Sequence, residues 1–158
     1  MSSMQKRTCC FTGHRNLPLE QRDEIATRLQ QVIINLIEQD YVFFGAGGAL
    51  GFDTLAALTV LKLKDDYPQV KLILVLPCKS QTRGWGKDDV AVYENIKGRC
   101  DKLVYTSEEY DSSCMFKRNR HLIDNSSVCI CYLTKEKGGT AYTVDYGRKS
   151  GVQIINVA

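Results

Sequence analysis

This sequence predicts an α/β fold, a single-domain Rossmann-like doubly wound parallel sheet of about six strands with helices on both faces. Three observations predict it. Short apolar runs rich in β-branched and aromatic residues alternate with segments whose apolar residues recur at helical spacing. The run at 71–76 is apolar almost throughout, as in a strand covered on both faces. The segment Gly45-Ala46-Gly47-Gly48-Ala49-Leu50-Gly51-Phe52-Asp53 follows the apolar run 41–44, which reads as strand, tight loop and helix.

The elements follow in order. Residues 7–11 form a first short strand, and Ile25, Leu29, Val32, Ile33, Leu36 and Ile37 set an amphipathic helix over 19–39. Strand 41–44 leads through the glycines to a helix over 51–64 with Leu55, Leu58 and Leu61 on one face. After strand 71–76, a helix carries Val92, Tyr93, Ile96 and Cys100, and strand 102–105 follows. Helix 114–125, strand 128–132, helix 140–150 and strand 152–157 complete the chain. The stretch 77–87 is the longest irregular connection, and leaving the carboxyl end of strand three it is expected to overhang the ligand crevice.

Length and composition bound the function. The 158 residues suit one domain, 1–158, with a real core. Apolar content of 44% and charged content of 25% are those of an ordinary globular protein. The net charge of +3 is modest and its basic residues are scattered, which argues against nucleic acid as a partner. The apolar runs are of strand length and the N-terminus is polar, so a cytoplasmic protein with neither membrane span nor secretory signal is expected. Seven cysteines include no C-x-x-C pair, and the only histidines are His14 and His121. Zinc spacing is therefore absent; free thiols acting as small hydrophobes, no metal and no cofactor are expected.

Three turns at strand ends suit an anion. After strand one, Thr12-Gly13-His14-Arg15 offers backbone amides and a bidentate guanidinium. After strand two, Gly45, Gly47, Gly48 and Gly51 precede Asp53, which fits either a helix N-terminal carboxylate or an acceptor for a ribose hydroxyl. After strand five, Gly138, Gly139 and Thr140 open the last helix. Each turn alone also fits a plain capped connection; the three together point to a nucleotide-like ligand. In the fourth helix Met115, Leu122 and Ile123 set an apolar stripe, which puts Asn119 on the inward face and Arg118 at its edge. A buried amide needs a partner, in the fold or in a ligand.

These motifs resemble the SLOG superfamily, which joins the DNA-processing protein DprA to the Lonely-guy (LOG) phosphoribohydrolases, and most of all its YpsA-like branch. The resemblance runs over nearly the whole chain: TGHR after strand one, GAGGALGFDTLAA after strand two, the Trp85 loop, MFKRN opening the fourth helix and GGTA after strand five. It implies a Rossmann-like crevice for nucleotides or nucleotide-derived ligands. LOG enzymes use the arginine of M-H-x-R-K and the glutamate of P-G-G-x-G-T-x-x-E. Arg118 takes the first position, but Thr143 or, in another register, Asp145 stands at the second. Glycosidic cleavage needs a carboxylate there, and binding does not.

The resulting expectation is a sensor or binding module for a small nucleotide-derived ligand. Gly13, His14, Arg15 and the amides at Gly47, Gly48, Gly139 and Thr140 would hold phosphate. Arg118 and Asn119 would orient ribose or a second phosphate, and Trp85 would stack on the base. The alternatives are a phosphoribohydrolase, with Arg118 and with Asp53 or Asp145 as its carboxylate, and a DprA-like DNA binder. The LOG resemblance further implies a homodimer or higher homo-oligomer.

Overall fold

A computed structural model describes residues 2–158. Six parallel strands, β1 (Thr8–Gly13), β2 (Phe43–Ala46), β3 (Lys71–Leu76), β4 (Lys102–Tyr105), β5 (Val128–Tyr132) and β6 (Gln153–Asn156), form one sheet in the order β4-β3-β2-β1-β5-β6. Five helices connect them: α1 (Arg22–Glu38), α2 (Phe52–Leu63), α3 (Lys87–Arg99), α4 (Cys114–Asp124) and α5 (Gly139–Lys149). The chain walks outward from β1 to β4, then returns to lay β5 on the free side of β1. The strand order reverses there, so the loops after β1 and β5 part and leave a crevice at their carboxyl ends.

Alternation along the strands divides the core. Cys9 and Phe11 of β1 pack with α1, α2 and α3, whereas Cys10 faces α4 and α5. α1 buries Ile25, Leu29, Ile33, Leu36 and Ile37, one stripe at helical spacing. Emptying one such site, as in Ile33→Ala, costs about 2–5 kcal/mol. α2 lies between α1 and α3 and is buried on most sides, including Phe52, Leu55, Ala56, Val60 and Leu63. Its enclosure explains why a polar residue on it, Asp53, is also buried.

The boundaries differ from the sequence expectation in ways that move functional residues. β1 extends to Gly13, pairing Thr12 with Cys131 and Gly13 with Tyr132. β2 extends to Ala46, so Gly45 is a strand residue rather than part of the loop. Its missing side chain admits α4: a Cβ there would lie 2.9 Å from Leu122 Cδ2. Six of the seven cysteines are buried, Cys100 being partly exposed, and all are free thiols. Among the described residues no helix is long and apolar enough to cross a membrane.

Candidate functional site

The crevice at the β1–β5 parting encloses about 510 Å³ and gathers residues from five segments. Thr12, Gly13, His14 and Arg15 come from the end of β1, and Asp53 from the first turn of α2. Arg118 and Asn119 come from α4, and Gly138, Gly139 and Thr140 from the start of α5. Ten residues picked out along the chain thus line one cavity. Met115, Ala49, Lys135, Lys137 and Tyr110 line it as well.

The glycine loop after β2 is built by close approach. Gly51 has φ +78°, and a side chain there would collide with the Arg15 carbonyl, so the loop after β1 lies directly against it. The Phe52 amide donates to the His14 carbonyl across the same junction (3.1 Å). At Gly47 a Cβ would sit 2.6 Å from Arg118 Nη1, so only glycine leaves room for the guanidinium. Gly48, Gly47 and Gly51 therefore shape the site from beneath rather than line it.

Arg118 is the most enclosed cation of the crevice, 4% exposed. Its Nη1 donates to the Gly47 carbonyl, Nε to Asn119 Oδ1 (2.7 Å) and Nη2 to Met115 Sδ (3.7 Å). Its remaining N–H groups have no partner, and no carboxylate ion-pairs with it, among the described residues. Burial pulls its pKa down, against the field of Asp53, but a guanidinium stays charged. The inward stripe of α4 is Cys114, Arg118, Leu122 and Ile123, with Asn119 half-buried beside it. This reverses the expected roles: Arg118 points inward and Asn119 flanks it.

Asp53 is the only carboxylate lining the crevice among the described residues. Its Oδ2 accepts from the Ala49 amide at 3.3 Å. Burial raises its pKa to about 6, against the lowering influence of Arg118, that hydrogen bond and Arg15. Asp145 lies elsewhere, exposed and paired with Lys149 at 2.9 Å. Thr143 is buried with its hydroxyl donating to the Gly139 carbonyl (2.9 Å), so neither register of the glutamate motif brings a carboxylate into the crevice.

His14 ties the two lips together: the Thr134 amide donates to its Nε2 at 2.9 Å, and its ring lies edge-on to Tyr132. The acceptor role requires an unprotonated Nε2. Burial, then the nearby Lys135, lowers its pKa accordingly.

Trp85 stands outside the crevice. Its ring packs edge-on against Tyr93 at 5.5 Å, and Tyr93 donates to Gln81 Oε1 (3.0 Å). Gln81 Nε2 in turn donates to the Gly47 carbonyl (3.1 Å). The 77–87 connection therefore buttresses the glycine loop from behind, because β3 lies two strands away from the parting. Gln81 had no signal in the sequence. Tyr110, in the loop after β4, could have been found from the rule that strand ends carry function.

Two structures of DprA share this fold. That of Streptococcus pneumoniae matches with TM-score 0.67 and 15% identity, covering 96% of this chain and 50% of that one. That of Helicobacter pylori, described for its single-stranded DNA binding mode, matches with TM-score 0.66 and 18% identity, covering 95% of this chain and 64% of that one. This chain thus spans half to two thirds of those proteins, and the likeness concerns the fold. Among sequences, the SPbeta prophage-derived protein YoqJ of Bacillus subtilis is 28% identical over 144 residues, 84% of this chain and 82% of its own. A UPF0398 protein of Bacillus thuringiensis is 28% identical over 130 residues, 80% of this chain and 71% of its own. The family model described as the YspA SLOG family matches residues 9–153, and the chain belongs to that YpsA-like branch of the SLOG superfamily.

Proposed function

We propose that the chain binds a nucleotide or nucleotide-derived ligand in the β1–β5 crevice, as a sensor or ligand-binding module. One observation carries the reading: anion-competent turns from β1 and β5 meet a buried arginine with unused donors in one cavity. Phosphate would lie on the α5 N-terminus and Arg15, where free amides and the helix dipole favour negative charge. Arg118 would bind a phosphate or ribose oxygen, and Asp53 would accept from a ribose hydroxyl. Calorimetric titration with nucleoside 5′-monophosphates tests this. Saturable binding that Arg15→Ala weakens supports it, and heat no greater than that of dilution for every nucleotide refutes it.

A phosphoribohydrolase is the second reading, favoured by Asp53. A carboxyl whose pKa is raised to about 6 can both take up and release a proton near neutrality. Release of free base from a nucleoside monophosphate, abolished in Asp53→Asn, would establish it. We further propose self-association through α4 and α5, as implied by the LOG resemblance. The edge-to-face pair Phe116–Tyr142, centroids 4.9 Å apart and both rings exposed, is the surface assigned to a second copy.

A further inference from the structure

We infer that Tyr110 is the base-stacking platform of the crevice and that the acidic loop carrying it limits the ligand to a single nucleotide unit; this rests on the nucleotide reading above. Tyr110 lines the same cavity as Asp53 and Arg118, yet the residue is 65% exposed. The other aromatics near the site are engaged: Trp85 with Tyr93, Phe116 with Tyr142, His14 with Tyr132. Tyr110 has no ring partner among the described residues, so one face is free for a base. Met115, whose Sδ accepts from Arg118, lines the same cavity and adds apolar surface to it.

The loop 106–113 is braced just after the ring. Asp111 Oδ1 accepts from the Ser113 amide (2.8 Å) and hydroxyl (2.9 Å), bonds that hold its carboxyl below the usual range and keep it charged. Such bracing lowers the entropy cost of presenting the ring. Glu108, Glu109 and Asp111 flank Tyr110 in the sequence, and no lysine or arginine occurs between residues 106 and 113. Arg15, Lys135, Lys137 and Arg118 line the cavity as cations, whereas the segment that brings Tyr110 to it carries three carboxylates and no cation. A terminal phosphate is drawn to the former. A second phosphate continuing past the base, along that segment, would be repelled by its carboxylates. A polynucleotide is thereby disfavoured and a mononucleotide is not.

The test compares ribose 5-phosphate, each nucleoside 5′-monophosphate and a short single-stranded oligonucleotide by calorimetry on the wild type, Tyr110→Ala and Tyr110→Phe. Stacking on an aromatic ring predicts that a mononucleotide binds roughly 5- to 150-fold tighter than ribose 5-phosphate. Tyr110→Ala should erase that advantage without lowering the melting temperature, and Tyr110→Phe should keep it. Mononucleotide binding that is no tighter than ribose 5-phosphate, or a preference that survives in Tyr110→Ala, overturns the stacking role while leaving the nucleotide reading intact. Tighter binding of the oligonucleotide overturns the single-unit limit. Binding of none of the three overturns the nucleotide reading and this inference with it.

Discussion

Asp53→Asn should stabilise the unliganded protein while weakening it as a binder. Burial holds the Asp53 carboxyl at about 6 instead of its ordinary 3.8. Between those values the folded chain keeps a proton that the unfolded chain has released. Stability therefore falls as pH rises through this window, and the full penalty persists above about pH 6. The displacement corresponds to about 3 kcal/mol. Asparagine never ionises, and its amide oxygen still accepts from the Ala49 amide. At neutral pH the variant should be up to about 3 kcal/mol more stable, about 6–12 °C in melting temperature for a domain of this size. Near pH 4 the two proteins should melt together. Thermal melts across this range, without ligand, check the expectation. A difference that does not grow with pH would falsify the claim that an ionised Asp53 is held at a cost. Nucleotide affinity should fall about tenfold, because a neutral amide replaces a charged acceptor.

Further outcomes are expected of the same protein. Arg118→Ala should weaken nucleotide binding by about 10- to 100-fold and, unlike a surface arginine, also lower the melting temperature, because the Gly47 carbonyl and Asn119 lose a donor; unchanged affinity would assign Arg118 to the scaffold alone. Proton NMR should show His14 titrating below 6.5, since burial and Lys135 lower it. The unfolded chain takes up that proton first, so the His14 contribution is complete above pH 6.5 and is lost on acidification through the lowered value; a midpoint above 6.5 would contradict the bond from Thr134. Light scattering should give a mass that is a multiple of the 17.8 kDa chain, and Tyr142→Glu should reduce it; a monomer at micromolar concentration removes the assigned surface.

The alternation of strand and helix was legible because each period leaves a direct trace in the order of apolar residues. The turns after β1 and β5 were legible because glycine and hydroxyl residues at strand ends are local signals. What escaped depends on three-dimensional neighbours. Along α4, Leu122 and Ile123 are buried as their spacing predicts, but an arginine counts as polar, so the first half of the stripe falls on Met115 and Asn119 in the sequence and on Cys114 and Arg118 in the fold. Trp85 lies in a long loop from a strand end, which pointed to the crevice. Only the distance of β3 from the strand-order reversal sends it to Tyr93 instead. Gly45 belonged to a glycine cluster in sequence, while its role is set by Leu122, far along the chain.

The burial of the cysteines gives the protein an internal clock for its own opening. Burial raises the pKa of Cys9 and Cys131, so these thiols are neither exposed nor ionised while the fold is intact. Cys9, Cys10, Cys129 and Cys131 sit on β1 and β5, the strands whose ends hold the crevice. An alkylating reagent can therefore mark native molecules at Cys100 first, and marks the paired central strands only when the sheet separates. The rate at which the remaining thiols become modified counts those openings one molecule at a time. A ligand seated across β1 and β5 should slow that count by the ratio of total to free protein, with no label attached to the ligand.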